Sequence, residues 1–221
     1  NGGMDSINTS VNGVEDHVGI VNNGGMDTIN TNVNGVGDSV DITNNGGMDS
    51  INTGVYGSGD SVVVVNNGGM DAMNTQVAGS FNTVDVVNAG GINEVNTSVY
   101  TAGFQCYTPN YNDVDVFNHG GAGSISTQIT SWSGGFSDVE IYNNADVTTM
   151  NTSVTSWDFG MNNVNMANNG NVCTFNLGIQ DYAGLNNVDM FNNGNICTLN
   201  ASISGAGSSL ELVNHGLYWL Y

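Results

Sequence analysis

The chain of 221 residues contains no lysine and no arginine, against 20 aspartate and glutamate residues, so its formal net charge is −20. Proteins bind a phosphate backbone by displacing its counterions with Lys and Arg, and they attach to an anionic membrane surface in the same way. The sequence therefore predicts no nucleic-acid partner and no electrostatic attachment to a membrane.

Long apolar runs, proline and cysteine are also scarce. No stretch approaches the roughly 18 consecutive apolar residues of a transmembrane helix, so we expect no membrane insertion. The three cysteines, Cys106, Cys173 and Cys197, are too few for a disulfide-dense scaffold. Because Asn1-Gly2-Gly3 already belongs to a repeat, we expect a leader to have been removed.

A 22-residue repeat runs along the chain. Asn-Gly-Gly-Met-Asp begins at Asn1, Asn23, Asn45 and Asn67, and each repeat closes on an asparagine that follows an apolar alternation. The predicted single domain, 1–214, has nine repeats followed by an aromatic tail, 215–221. The repeats are 1–22, 23–44, 45–66, 67–88, 89–118, 119–143, 144–168, 169–192 and 193–214.

The repeats from 89 to 192 are longer, and every insertion falls at the same point in the middle of the repeat. Insertions confined to one corner predict a loop there. The longest contains Gln105-Cys106-Tyr107-Thr108-Pro109-Asn110, with the only proline of the chain, and two others carry Trp132 and Trp157.

Within a repeat, apolar and polar residues alternate strictly, which predicts strands with one buried face. In the second repeat, Asp27-x-Ile29-x-Thr31-x-Val33-x-Gly35 is followed by Asp38-x-Val40-x-Ile42-x-Asn44-x-Gly46, so each half-repeat has 11 residues. Glycine is expected to supply positive φ at the turns, and Asp or Asn before each strand to bond its own backbone and shape the corner.

The predicted fold is all-β: a β-solenoid of about nine stacked strand-turn-strand coils with cross-β stacking. One coil cannot bury its apolar face alone, whereas stacked coils share a continuous core. Coils about 4.8 Å apart would give a rod roughly 45 Å long. The predicted inner columns are Ile7, Ile29, Ile51, Met73, Val95, Ile125, Met150, Phe175, Leu199; Val11, Val33, Val55, Val77, Val99, Ile129, Val154, Ile179, Ile203; and, on the opposite strand, Val18, Val40, Val62, Val84 with Ile20, Ile42, Val64, Val86.

The half-repeat resembles the curlin repeat of bacterial curli, N-x-A-x-I-x-Q-x-G, which also has an 11-residue half and a 22-residue whole. Asp38-x-Val40-x-Ile42-x-Asn44-x-Gly46 matches it with Asp for Asn, Val for Ala and Asn for Gln. The preceding half fits less well, and curlins carry basic residues that this chain lacks. The resemblance implies a subunit of an extracellular, secreted cross-β fibre, a functional amyloid in a biofilm or surface matrix.

Stacking also predicts self-association, with other copies of the chain as partners. The first repeat is as regular as the second, so its open edge is expected to pair head to tail with another copy. A column of asparagines would then form an amide ladder through the fibre. The tail, with Leu217, Tyr218, Trp219, Leu220 and Tyr221, is predicted to be either a cap or a joint between subunits. The ladder residues are Asn22, Asn44, Asn66, Asn88, Asn118, Asn143, Asn168, Asn192 and Asn214.

Acidic residues recur on the outward face of the second strand, at Asp41, Asp85, Asp115, Glu140, Asp189 and Glu211. We expect a solvated face with no cofactor; Ca²⁺ binding, which would relieve the repulsion between carboxylates, is the alternative. Cys173 and Cys197 share one slot in neighbouring coils, so they form either a disulfide or a pair of buried thiols.

The sequence does not predict an enzyme, because no nucleophile, base and orienting group are held together. The rival to the fibre is a monomeric secreted binding solenoid, either an ice-binding protein or a calcium-dependent adhesin. Its best feature is a column of threonines, but these share the phase of the inner residues and are expected to point inward. The column is Thr9, Thr31, Thr53, Thr75, Thr97, Thr127 and Thr152.

Overall fold

The computed structural model describes residues 4–102 and 110–216, and it confirms the predicted all-β solenoid. These residues form eighteen strands in two nine-stranded parallel sheets, with odd-numbered strands in one sheet and even-numbered strands in the other. From its first to its last strand, each sheet takes the chain through about eight turns. The described part of the chain contains no helix, and so none that could cross a membrane.

Each repeat supplies one strand to each sheet. The odd sheet has β1 Met4–Val11, β3 Met26–Val33, β5 Met48–Val55, β7 Met70–Ala78, β9 Ile92–Ala102, β11 Ala122–Trp132, β13 Val147–Trp157, β15 Val172–Tyr182 and β17 Ile196–Ser204. The even sheet has β2 His17–Asn22, β4 Ser39–Asn44, β6 Ser61–Asn66, β8 Asn82–Asn88, β10 Tyr111–Asn118, β12 Phe136–Asn143, β14 Met161–Asn168, β16 Leu185–Asn192 and β18 Ser208–Asn214. Equivalent repeat positions are paired throughout, as Ile29 with Ile51 and Val40 with Val62.

The core lies between the two sheets and consists of the predicted columns. Ile29, Ile51 and Phe175 from the odd sheet and Val40 and Ile42 from the even sheet are fully buried. Only the end coils depart from this pattern, because each has a neighbour on one side alone. At the last coil the effect is large: Ile203 is 47% exposed, whereas Ile179, one coil earlier, is 1% exposed.

A further inner column was missed in the sequence. Met26, Met48 and Met70 are buried three residues before the isoleucine column, whereas Asp27 is exposed, although the alternation placed Asp27 in phase with Ile29. The pairing of β3 with β5 skips Asp27, so the strand changes phase at this point. A strict period of two cannot reveal such a break. Ile92, Ala122, Val147, Val172 and Ile196 continue the column.

The predicted loops are wrong for the insertions that carry Trp132 and Trp157. Both residues end strands, because the inserted residues lengthen β11 and β13 to 11 residues each and continue the alternation inward and outward. Trp132 stacks on Trp157 at 4.9 Å between ring centroids, and Trp157 stacks on Tyr182 at 3.8 Å. Of the longest insertion, residues 103–109 lie outside the described residues, including Cys106 and Pro109.

The widened coils enclose a polar sub-core. Asn112 Nδ2 donates to the Thr101 hydroxyl at 2.9 Å, and the Thr101 and Ser137 hydroxyls are 2.8 Å apart. One coil later, the Ser131 hydroxyl bonds the side-chain oxygen of Asn162, whose Nδ2 donates to Asn186 at 2.8 Å. Buried polar groups need such partners, so hydrogen bonds between side chains close the lengthened coils at this corner.

The glycines of the two turns have different roles, and the predicted positive φ applies to one of the turns only. Positive φ occurs at Gly37 and Gly59, whereas Gly46 and Gly68 lie in the other turn and lack it. A Cβ at Gly68 would overlap the backbone oxygen of Gly46 in the preceding coil. Stacking at strand spacing, and not backbone conformation, therefore requires glycine in the Asn-Gly-Gly turn.

Substituting neighbouring glycines should separate these two roles. We expect Gly68→Ala to lower the free energy of unfolding by about 1–3 kcal/mol, because the methyl group forces two coils apart. Gly69→Ala is the matched control, since a Cβ there meets nothing within 4 Å, and it should change stability by less than about 0.5 kcal/mol. Equal effects in urea unfolding would contradict the close-approach explanation.

Candidate functional site

The buried asparagine column forms an unbroken ladder through the solenoid. From Asn22 to Asn214, the Nδ2 of each asparagine donates to the Oδ1 of its equivalent in the next coil, over distances of 2.5 to 2.9 Å. We call this the inner ladder. All its N–H donors point toward the C-terminal end, so the ladder is polar.

Most asparagines of the inner ladder also close their own turn, as Asn44 does. Asn44 Oδ1 accepts from Asn22 Nδ2 at 2.8 Å and from the backbone N–H of Gly46 at 3.2 Å. Its Nδ2 donates to Asn66 Oδ1 at 2.8 Å and to the backbone oxygen of Gly46 at 2.9 Å. Both donors and both acceptor sites of the amide are thus used, as burial requires.

A second ladder, which we call the outer ladder, lies on the exposed face of the odd sheet and has the opposite polarity. Asn30 Nδ2 donates backward to Asn8 Oδ1 at 2.8 Å, and Asn52 donates to Asn30 at 2.9 Å. It has two segments, with no hydrogen bond between the described side chains of Asn96 and Ser126: the first is Asn8, Asn30, Asn52, Asn74 and Asn96, and the second is Ser126, Asn151, Asn176 and Asn200. This ladder was not predicted, although asparagine occupies the position in eight of the nine repeats.

The two ladders leave complementary groups at the two ends of the solenoid. At the N-terminal end, Asn22 Oδ1 accepts only from the backbone of Gly24 among the described residues. At the C-terminal end, Asn214 Nδ2 donates only to Gly216, leaving one N–H unused by any described acceptor. In the outer ladder the open acceptor is Asn200 Oδ1, and the open donor is Asn8 Nδ2, whose one bond to a described residue is a long one of 3.5 Å to the Ser6 hydroxyl.

The C-terminal end also presents apolar side chains. In addition to Ile203, the inward residues Leu199, Leu210 and Leu212 are only partly buried. Both ends carry edge strands, β1 and β2 at one and β17 and β18 at the other. Leu217, Tyr218, Trp219, Leu220 and Tyr221 lie outside the described residues, so the choice between cap and joint stays open.

Two carboxyl groups are buried where the sequence predicted turn-shaping aspartates. Asp38 Oδ1 accepts from the backbone N–H of Asp16 in the preceding coil at 2.9 Å, and Asp60 accepts likewise from Asp38 at 3.0 Å. The bonds therefore join coils, so the prediction that residues before a strand bond their own backbone is wrong for Asp38 and Asp60. It holds for Asn22, Asn44 and Asn66, each of which accepts from the N–H of the glycine two residues on. The second carboxyl oxygen of Asp38 and of Asp60 has no hydrogen-bond partner among the described residues. Burial raises the pKa of Asp60, and the neighbouring Asp38 carboxylate adds to the shift.

The predicted acidic column is interrupted, but part of it forms a cluster. Asp115 pairs with Asp85 on one side and Glu140 on the other, and Asp113 pairs with Asp138. Desolvation by burial, then the carboxylates of Asp113 and Glu140, raises the pKa of Asp115 to about 6. Elsewhere Val63 and Asn165 separate the acidic positions. Within residues 4–102 and 110–216, no group of three or more His, Cys, Asp or Glu side chains is placed to hold a metal ion, and Ca²⁺ binding stays a prediction.

The remaining candidate residues have simple environments. Cys173 and Cys197 lie in neighbouring strands as free, exposed thiols; no bridge joins them, and the alternative of buried thiols is wrong. Thr31 and the equivalent threonines up to Thr152 are buried, so the column does point inward and offers no exposed ice-binding array. Five of these hydroxyls, from Thr31 to Thr127, have no hydrogen-bond partner.

Removing one amide of the inner ladder should be costly. Asn44→Ala deletes four hydrogen bonds, leaves Asn22 Nδ2 without its acceptor in the core and leaves Asn66 Oδ1 with the Gly68 N–H alone, so we expect a loss of about 3 kcal/mol in the free energy of unfolding. Asn45→Ala is the control, because its ladder bonds are exposed, and it should cost less than about 1 kcal/mol. Urea unfolding measures both, and equal losses would contradict a structural role for the buried ladder.

The carboxylate cluster should make stability depend on pH. The raised pKa of Asp115 means that the folded state holds this proton more tightly than the unfolded state does. The stability that protonation of Asp115 contributes is therefore fully present below the ordinary pKa of 3.8 and is lost as pH rises through about 6. We expect Asp115→Asn to raise the melting temperature at about pH 8 and to have little effect near pH 4. The control is Glu94→Gln, which lies between Ala72 and Ser124. Thermal unfolding followed by circular dichroism checks this, and a gain independent of pH would contradict it.

No protein-family model, curated protein or solved structure matches this chain. The β-solenoid fold is therefore established by the coordinates, and the likeness to the curlin repeat depends on residue spacing. What the site offers chemically is a pair of end surfaces with matching hydrogen-bonding groups and edge strands.

Proposed function

We propose that this protein is the structural subunit of a self-assembling fibre, in which copies stack head to tail through their end coils. The observation that carries the proposal is the complementarity of the open ladder groups. The Asn214 N–H of one copy meets the Asn22 oxygen of the next, while Asn8 of the next copy donates to Asn200. One stacking step therefore satisfies the open donor and the open acceptor of each ladder.

The edge strands support the same junction. β17 would pair with β1 of the next copy and β18 with β2, in the parallel register that every neighbouring pair of strands within the chain already has. Stacking would also cover Leu199, Ile203, Leu210 and Leu212, whose counterparts in the central coils are buried. An unpaired edge strand is a template for the addition of a strand from another chain, because it presents a row of free N–H and C=O groups.

Polarity restricts how copies can join. If the C-terminal ends of two copies met instead, two N–H donors would face each other in the inner ladder and two oxygens in the outer ladder. The junction therefore favours head-to-tail growth over end-to-end pairing of like ends. Such a heterologous contact continues without closing, and this produces a filament. The extracellular setting and the likeness to functional amyloid come from the curlin resemblance and belong to the proposal.

Electron microscopy and fibre diffraction of the purified chain at neutral pH, with and without Ca²⁺, test the proposal. We expect unbranched filaments with a meridional reflection near 4.8 Å, the spacing of strands perpendicular to the fibre axis. Discrete monomers under all conditions would overturn it. A requirement for Ca²⁺ would assign the acidic face a role in assembly.

A substitution at the exposed end should block growth without unfolding the subunit. Ile203→Glu puts a charge at the junction, at a position where the isoleucine is already 47% exposed, so we expect the variant chain to fold. The C-terminal end of the variant should then fail to join the N-terminal end of a wild-type seed. Ser202→Glu is the matched control, since it adds the same charge on the outward face of the same strand. Seeded assembly followed by light scattering distinguishes them. Equal elongation by both variants would contradict the proposed junction.

A further inference from the structure

A trough runs along the outer face of the odd sheet, from the first coil to the last. Its volume is about 1400 Å³, and its lining extends from Asn8 in β1 to Ser202 in β17. One wall is the outer ladder, the other is the column two residues further along each strand, and the buried threonine column lies beneath the floor. The trough is open along its length, so it suits an elongated ligand better than a compact one.

The trough is electrically neutral in a chain with a net charge of −20. No Asp, Glu or His lines it; the lining consists of Asn, Gln, Ser, Thr and Gly with Tyr56, Leu177, Leu199 and Ala201. The acidic cluster around Asp115 lies on the opposite sheet, and the carboxylates of Asp5, Asp27, Asp49 and Asp71 on the odd sheet line a separate groove. A cationic ligand would find its partners there and not in the trough, and an anionic ligand would be repelled by the chain as a whole.

The walls offer hydrogen-bonding groups at regular intervals. Asn30, Asn74 and Asn176 each donate one N–H to the preceding ladder amide and have no second acceptor among the described residues. Hydroxyls and amides of the other wall, such as Ser98 and Gln128, face them. An amide and a hydroxyl each pair well with a ligand hydroxyl, which is both a donor and an acceptor.

One aromatic ring completes the lining. Tyr56 is 42% exposed, its hydroxyl donates to Gln76 Oε1 at 2.6 Å, and its ring lies over Gly54, where a Cβ would approach the ring at 2.6 Å. The glycine therefore makes room for the ring at the trough. An aromatic ring fixed in this way presents apolar area together with a polar tip, which suits a ligand with C–H faces and hydroxyl edges.

We propose that the trough binds a linear, uncharged polysaccharide along the solenoid axis. Charge selects a neutral ligand, the length of the trough selects a polymer, and the ladder amides with Tyr56 match hydroxyl groups and sugar-ring faces. A second copy of the chain fits less well, because two concave faces brought together enclose a channel and two acidic chains repel each other. This site is independent of the end-to-end junction.

Blocking the trough gives the sharpest test. Gly178 lies in the trough wall, and a Cβ there meets nothing within 4 Å, so the backbone accepts a side chain at this position and the indole of Gly178→Trp is expected to occupy the trough. Gly19→Trp is the matched control, because Gly19 is equally open but lies in β2, on the other sheet. Both are made in the Ile203→Glu background, so that binding is measured on single subunits whether or not the wild-type chain polymerises.

Native gels that contain hydroxyethyl cellulose, a soluble neutral linear glycan, provide the readout, with carboxymethyl cellulose as its charged counterpart. We expect hydroxyethyl cellulose to retard the parent chain and Gly19→Trp, and not Gly178→Trp. Tyr56→Ala should weaken retardation about two- to tenfold, whereas Tyr100→Ala, an exposed tyrosine on the same sheet outside the trough, should not. Absence of retardation, equal loss in both tryptophan variants, or stronger binding to the charged polymer would overturn the proposal.

Discussion

Hydrogen bonding between parallel strands holds neighbouring coils about 4.8 Å apart, and the rest of the structure follows from that spacing. Every side chain lies directly above and below its repeat equivalents, so each residue type must tolerate a copy of itself at this distance. Asparagine does so well, because an amide donates on one side and accepts on the other. Glycine is required where two turns approach each other, as at Gly46 and Gly68. Isoleucine and valine pack on their own kind to form the core.

Acidic residues stack badly unless they are exposed to water, as Asp27, Asp49 and Asp71 are, and two less exposed columns reflect this. At the position before the second strand, the buried carboxyls Asp38 and Asp60 are followed by Asn82 and Asn112, which accept the same intercoil backbone bond without a charge. On the outer face of the even sheet, Val63 and Asn165 interrupt the acidic column. With no Lys or Arg in the chain, interruption and proton uptake are the means left to relieve repulsion between neighbouring carboxylates.

The period and phase of the sequence were enough to predict the solenoid, the register and most of the core, because stacking makes the fold a repetition of one local pattern. The inner ladder was predicted for the same reason. What escaped prediction depends on local geometry that a repeat does not encode: the change of phase at Asp27, the strand extensions that end at Trp132 and Trp157, and the role of Gly46. The outer ladder had a visible signal, but hydrogen-bond direction, which makes the two ends complementary, is set by side-chain rotamers and cannot be read from residue types.

The lengthened strands make the cross-section of the subunit change along the solenoid axis. The first three coils pair strands of 8 and 6 residues, whereas the coils built from β11 to β14 pair strands of 11 and 8. Cross-section therefore varies along the axis although the rise per coil does not. A rod built from such units would be beaded, and each swelling would mark one polypeptide. The number of subunits in the rod could then be counted from its swellings, even though the hydrogen-bonded sheets would continue across every junction.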